Sequence, residues 1–172
     1  MEGNKCAGPC HPGVVKTRPL TSADDLMPFL VTAMNWRDDD LWSDHSVLAD
    51  PQVAHYVTGW MRDGDAGVVA ESDDAVIGAA WWRTFTSADP GYGYVADGVP
   101  ELGLAVFAAH RGKGVAKALM TELVDRAQAE GVPALSLSVE DGNEAARRLY
   151  DSLGFVKVGR VGDSDTLLLR IA

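Results

Sequence analysis

The most constraining feature of the sequence is a strand–turn–helix–strand run in its second half. Glu101-Leu102-Gly103-Leu104-Ala105-Val106-Phe107 is nearly all apolar, as a strand covered on both faces must be. Val115, Leu119, Leu123 and Ala127 then recur every four residues, the spacing of an amphipathic helix, which Gly131 ends. Ala134-Leu135-Ser136-Leu137-Ser138-Val139 returns to strand. Asn143 caps a second helix carrying Ala146, Leu149, Tyr150 and Leu153, and Gly154 stops it. Residues 155–161 and 166–171 close the chain as strands. Helices with one apolar face interleaved with buried strands pack as a mixed α/β sheet.

The first half is compatible with that sheet. Residues 14–18 read as a first strand. Thr21-Ser22-Ala23-Asp24 resembles a capping box, and Leu26, Phe29, Leu30, Ala33 and Met34 follow at helical spacing. Residues 35–65 are acidic and aromatic and are broken by Pro51, with a short helix expected over 52–61. Residues 67–71 and 75–83 form a hairpin across the Ser72-Asp73-Asp74 turn, and 86–98 is a Gly/Asp/Pro-rich loop. The length of 172 residues, with 47% hydrophobic side chains, suits one domain over 13–172 behind a flexible tail over 1–12.

Charge narrows the partners. The net charge is -10, and residues 1–100 hold 15 acidic and 6 basic side chains against 10 and 9 in the remainder. An acidic chain repels a nucleic-acid backbone, so nucleic acid is not expected, and a polyanion would find positive charge only in the second half. The acidic first half favours a cationic partner. No apolar run reaches the ~18 residues of a membrane span, and no signal peptide opens the chain, so a cytoplasmic protein away from membranes is expected. Cys6, Cys10 and His11 sit together in the tail, but nothing supplies a second ligand pair, so neither a metal site nor a disulfide is expected.

The chemistry lies in Arg111-Gly112-Lys113-Gly114-Val115-Ala116-Lys117, between the apolar strand and the amphipathic helix. Glycines let the backbone turn with its amides outward, and the helix start adds positive dipole, which together make a pyrophosphate cradle. A Walker A loop fails on spacing, because Gly114 stands where Ser or Thr must follow Lys113. A dinucleotide fingerprint fails because Lys117 takes the third glycine's place. A plain tight turn is the bland alternative.

Arg111, Gly114 and Ala116, followed by Asn143, Ala146, Leu149, Tyr150, Gly154 and Phe155, change that balance. In this order and separation they resemble the two signatures of the GNAT superfamily of N-acetyltransferases, over residues 99–160. The resemblance implies a mixed, mostly antiparallel twisted sheet of about seven strands with about four helices. It implies acetyl-CoA as acyl donor, with no metal. The pantetheine arm would pair with the backbone of Leu104, Ala105 and Val106. Amides from Gly112, Lys113, Gly114, Val115, Ala116 and Lys117 would hold the pyrophosphate beside Arg111. Asn143 would cap its helix and contact the pantetheine, and Arg147 or Arg148 could reach a CoA phosphate.

Tyr150 matches the tyrosine assigned in the family as the acid that protonates the departing thiolate; the alternative is a core ring with its hydroxyl bonded. Glu101 stands where family members place a general base, often acting through water, with Glu140 and Asp141 as the other candidates. Trp36, Trp42, Tyr56, Trp60, Trp81, Trp82, Tyr92 and Tyr94, with Asp38, Asp39, Asp40, Asp44 and Asp97 among them, would suit a cationic, partly apolar amine. The function expected is acetyl transfer to a primary amine of a small molecule by direct attack in a ternary complex. A protein N-terminal or lysine acetyltransferase, and a non-catalytic CoA-binding sensor domain, are the alternatives. Exposed strands at the end of this fold often pair, which leaves a homodimer open.

Overall fold

The computed structural model describes residues 15–39 and 41–171. The tail over 1–12, with Cys6, Cys10 and His11, lies outside them, as does Val14 of the expected first strand. The elements are β1 (Lys16–Pro19), α1 (Met27–Met34), α2 (Asp44–Ala49), α3 (Pro51–Ala54), β2 (Ala66–Ser72), β3 (Ala75–Arg83) and β4 (Glu101–Val106). They continue as α4 (Val115–Ala129), β5 (Ala134–Glu140), α5 (Glu144–Ser152), β6 (Val156–Val161) and β7 (Ser164–Arg170). One seven-stranded sheet runs in the order β1-β2-β3-β4-β5-β7-β6. Every neighbouring pair is antiparallel except β4 and β5, which run parallel.

Two apolar cores cover the two faces of the sheet. Alternation along each strand assigns the residues: Trp82, Leu102 and Val106 pack under α4 and α5, whereas Trp81, Ala79 and Ala105 pack under α1 to α3. α4 buries Val115, Leu119, Met120, Leu123 and Ala127. It lies close on β3, where a Cβ at Gly78 would come within 3.1 Å of Leu119. Among the described residues no helix is long and apolar enough to cross a membrane.

Two local expectations change. Thr21 to Asp24 is a turn rather than a helix start: Asp24 accepts the amide and hydroxyl of Thr21 and both terminal nitrogens of Arg18. α1 begins only at Met27, whose amide donates to Asp25, because Pro28 suits the first helical turn. The helix expected over 52–61 is the four-residue α3, with Pro51 as its first residue and Asp50 as its cap. α2 before it closes a capping box between Ser43 and Ser46, which the acidic pattern hid.

A buried ion pair ties this region down. Arg83 and Asp65 are both buried, with Nη2 2.6 Å from Oδ2. Arg83 Nη1 also donates to the carbonyls of His55 (2.8 Å) and Thr58 (2.7 Å), so its charge is fully engaged.

Candidate active site

β4 and β5 share a single register pair, Glu101 with Ser136, reinforced by the Ser136 amide donating to the Pro100 carbonyl at 3.0 Å. Beyond it the β4 edge has no strand partner, and the space between the strands is a cleft of about 870 Å³. That volume holds an extended chain and a small second ligand. Leu104, Ala105 and Val106 line it on β4; Ser138, Val139 and Glu140 line it on β5.

At the far end of β4, a 3-10 turn (Ala108–His110) leads into the glycine loop. Gly112 and Gly114 have φ of 72° and 81°, a left-handed backbone that favours glycine, and a Cβ at either would point into open space. Gly114 is the N-cap of α4, and among the described residues no side chain caps it, which leaves the first amides of that helix free of a side-chain partner. Val115 buries its side chain, leaving only its backbone to the loop. Arg111 donates from Nε to the Val106 carbonyl and pairs with Asp38 at 3.1 Å. Lys117 lines the cleft, whereas the Lys113 ammonium turns back onto the Ala109 carbonyl at 2.8 Å, away from it. Asn143 lines the cleft and caps α5 through Ala146. Arg147 is bonded to Asp165 and Arg148 is exposed, and neither lines the cleft. The unpaired β4 edge and the bare helix start therefore fit a pantetheine arm and a pyrophosphate.

Glu101 stands at the apex where the strands meet, and only 3% of it is exposed. Its Oε1 accepts from the Tyr56 hydroxyl at 2.6 Å and from the Gly93 amide at 2.9 Å, and the Tyr56 oxygen accepts the Tyr92 amide at 2.7 Å. Its Oε2 has no hydrogen-bond partner among the described residues. Burial pushes the carboxyl up to about 7, against the two donors that favour its ionised form. A carboxyl poised there exchanges protons near neutrality. Tyr150 also lines the cleft, with its ring 5.6 Å from Phe155. Among the described residues nothing bonds its hydroxyl, and burial holds the phenol above its ordinary range, hence protonated.

The other carboxylates are occupied. Glu140 accepts the Trp36 indole N–H at 2.7 Å and Arg37, whose guanidinium lies 4.2 Å from the Trp36 ring centre. Asp141 pairs with Arg160, which holds its carboxyl below the usual range. Trp36, Trp42, Tyr56, Trp81 and Tyr92 line the cleft, whereas Trp60, Trp82 and Tyr94 do not. Of the described aspartates weighed for the acceptor, Asp38 reaches a cleft residue, Arg111; Asp97 instead holds the 86–98 loop through Ser87 and Tyr94. The negative charge facing the cleft is that of Glu101 and Glu140.

The model of the acetyltransferase (GNAT) family matches residues 30–155. The chain belongs to the GNAT family. Among GNAT relatives, it is 32% identical over 115 residues to an L-methionine sulfoximine/L-methionine sulfone acetyltransferase of Salmonella typhimurium. It is 30% identical over 116 residues to the L-amino acid N-acyltransferase MnaT of Escherichia coli. Each match covers 67% of this chain and 64% of the relative, so the chain spans just under two thirds of those proteins. The Salmonella typhimurium yncA structure, solved with its cofactor acetyl-CoA, superposes with a TM-score of 0.63 at 26% identity, covering 92% of this chain and 94% of that one. The seven-stranded, mostly antiparallel sheet opened between β4 and β5 is the GNAT fold.

Sequence reasoning did not find the role of Tyr56, nor that of the loop at Gly91 and Gly93. A Cβ at Gly91 would fall 2.1 Å from Glu101 Oε2, and one at Gly93 2.4 Å from the Leu137 backbone. The Gly91-Tyr92-Gly93 spacing was the available signal, but a loop glycine does not name what it must pass.

Proposed function

We propose that this GNAT chain transfers the acetyl group of acetyl-CoA to the primary amine of a small molecule, by direct attack with both substrates bound. The observation that carries this is Glu101, buried at the one point where β4 and β5 meet, at the inner end of the cleft that Tyr150 also lines. Bound acetyl-CoA supplies an activated thioester. The β4 edge at Leu104 to Val106 and the amides from Gly112 to Lys117 bind and orient it, with Asn143 beside them. Glu101 takes the proton from the acceptor ammonium, directly or through a bridging water, so that the amine is neutral when it attacks. Tyr150, kept protonated by burial, gives its proton to the departing sulfur. Proton flow thus enters at Glu101 and leaves at Tyr150, with no covalent enzyme intermediate.

A small acceptor is favoured over a protein because Trp36 and Arg37 are bonded to Glu140 across the cleft. A protein substrate would need that path open. The relatives named for methionine sulfoximine and for L-amino acids support small amines in the same way.

Thiol release from acetyl-CoA with a panel of primary amines tests the proposal. Glu101→Gln should lower kcat by about 10² to 10⁴, and Tyr150→Phe by about 10², with acetyl-CoA binding retained in both. Full activity in either variant would remove that residue from its role. Absence of thiol release with every amine, while acetyl-CoA still binds, would favour a sensor over an enzyme.

A further inference from the structure

The 86–98 loop reaches Glu101 by two routes. The Gly93 amide donates to its carboxylate at 2.9 Å, and the Tyr92 amide donates at 2.7 Å to Tyr56, whose hydroxyl donates to the same oxygen. Little within the loop holds it there. Gly91 and Gly93 lie against Glu101 and the β5 backbone with no room for a side chain, so neither brings an anchor of its own. Asp97 bonds Ser87 and Tyr94, and the amides of Asp89, Tyr94 and Val99 close turns, but all of these bonds stay inside the 86–99 segment. Among the described residues, the other hydrogen bond from the loop to a different element is that between His55 Nδ1 and Asp89 Oδ1, at 3.0 Å.

His55 is a firm point from which to hold a loop. It ends α3 and directly precedes Tyr56. Its ring packs 4.8 Å from that of Tyr56 and 4.5 Å from that of Phe85. Its carbonyl accepts from Arg83, which the buried pair with Asp65 fixes in turn. A carboxylate only accepts, so Nδ1 carries the proton that bonds Asp89. Nε2 is buried and has no partner among the described residues, so the ring makes its one polar contact with the loop. Two consecutive residues thus grip the same loop, His55 at Asp89 and Tyr56 at Tyr92.

We propose that His55 and Asp89 are positioning residues for Glu101: their bond tethers the 86–98 loop so that the amides of Tyr92 and Gly93 stay on Tyr56 and the carboxylate. This rests on the proposed role of Glu101 in acetyl transfer and adds two residues that act on it from outside the cleft. Neither His55 nor Asp89 lines that cleft, so neither touches a substrate there. Without the tether, the loop is held by the bonds of the site itself. Loss of one hydrogen bond shifts a local equilibrium by about three- to tenfold toward the open form. Each opening strips Glu101 of a donor that favours its ionised form.

The test compares Asp89→Ala with Asp89→Asn, and His55→Ala with His55→Asn, using an amine that the unaltered protein turns over. The Asn variants keep an acceptor at 89 or a donor at 55, and neither new side chain titrates. Both Ala variants should lower kcat by about three- to tenfold and move the acid limb of kcat/KM upward by about half a pH unit or more. The Kd for acetyl-CoA should stay unchanged, and the Asn variants should restore most of both losses. The double Ala variant should lose no more than either single one, because both remove the same bond. Melting curves read the same carboxyl without substrate: the fall in stability with rising pH that Glu101 causes should extend to higher pH in the Ala variants. Asp89 is exposed, so its truncation leaves the packing intact and decides the matter where His55→Ala opens a cavity. An unmoved acid limb in Asp89→Ala would overturn the inference and leave acetyl transfer standing, as would an Asp89→Asn protein as impaired as Asp89→Ala. Absence of thiol release from the unaltered protein with every amine, while acetyl-CoA still binds, would overturn the transfer reading and the inference together.

Discussion

Glu101 and Tyr56 carry the account at the scale of single residues. As the proposed base, Glu101 works only when ionised, so the rate should fall as pH drops through about 7. Tyr56→Phe removes the 2.6 Å donor that favours the ionised form, so the acid limb should move upward in pH by about one unit. A packing role alone would lower activity without moving that limb, and the pH profile of kcat/KM separates the two. Stability carries the opposite sign. With the carboxyl raised from 4.5 to about 7 on folding, the folded state holds the extra proton, so stability falls as pH rises between those values. Glu101→Gln should flatten that slope in melting curves recorded across the window. That Glu101 and Tyr150 share a cleft was legible in the sequence because each sits inside or beside a spaced motif. Tyr56 appeared there only as one aromatic among eight, since its partner lies 45 residues away and nothing local announces a hydrogen bond at that distance.

Among elements, the 86–98 loop positions Glu101, the proposed base, while the β4–β5 opening makes the cleft. Gly91→Ala drives a methyl group to 2.1 Å from Oε2 of Glu101, so the loop or the carboxylate must shift. The expected outcome is a loss of kcat of tenfold or more with an unchanged Kd for acetyl-CoA, read from thiol release and calorimetry. β4, α4, β5 and α5 were legible almost to the residue, because apolar runs, four-residue spacing, the Asn143 cap and the stops at Gly131 and Gly154 all agree. The segment before β2 was not. There the helix expected over 52–61 is only the four residues from Pro51 to Ala54, and Asp24 is held by Arg18 instead of opening α1. Local capping patterns describe what a segment is able to do, and a tertiary ion pair decides what it does.

For the whole molecule, a buried ion pair and a gap in the sheet complement each other. A cleft that separates β4 from β5 removes ladder bonds from the middle of the sheet, while Arg83 and Asp65 fix the wall beside it. Asp65→Ala would leave Arg83 buried without its counter-charge and should cost about 3–5 kcal/mol, measured by denaturant unfolding. The acidic balance of the first half gives no general attraction for an anion, so in the proposed binding mode acetyl-CoA is held by the oriented amides of the α4 N-terminus and the few cations beside them. The central claim is that this cleft holds acetyl-CoA, and calorimetric titration of the protein with acetyl-CoA tests it most directly. The account predicts saturable binding at one site per chain, weakened at least about tenfold by Gly114→Val, which strains the left-handed N-cap. No heat of binding at millimolar acetyl-CoA, or undiminished affinity in the Gly114→Val protein, would contradict it.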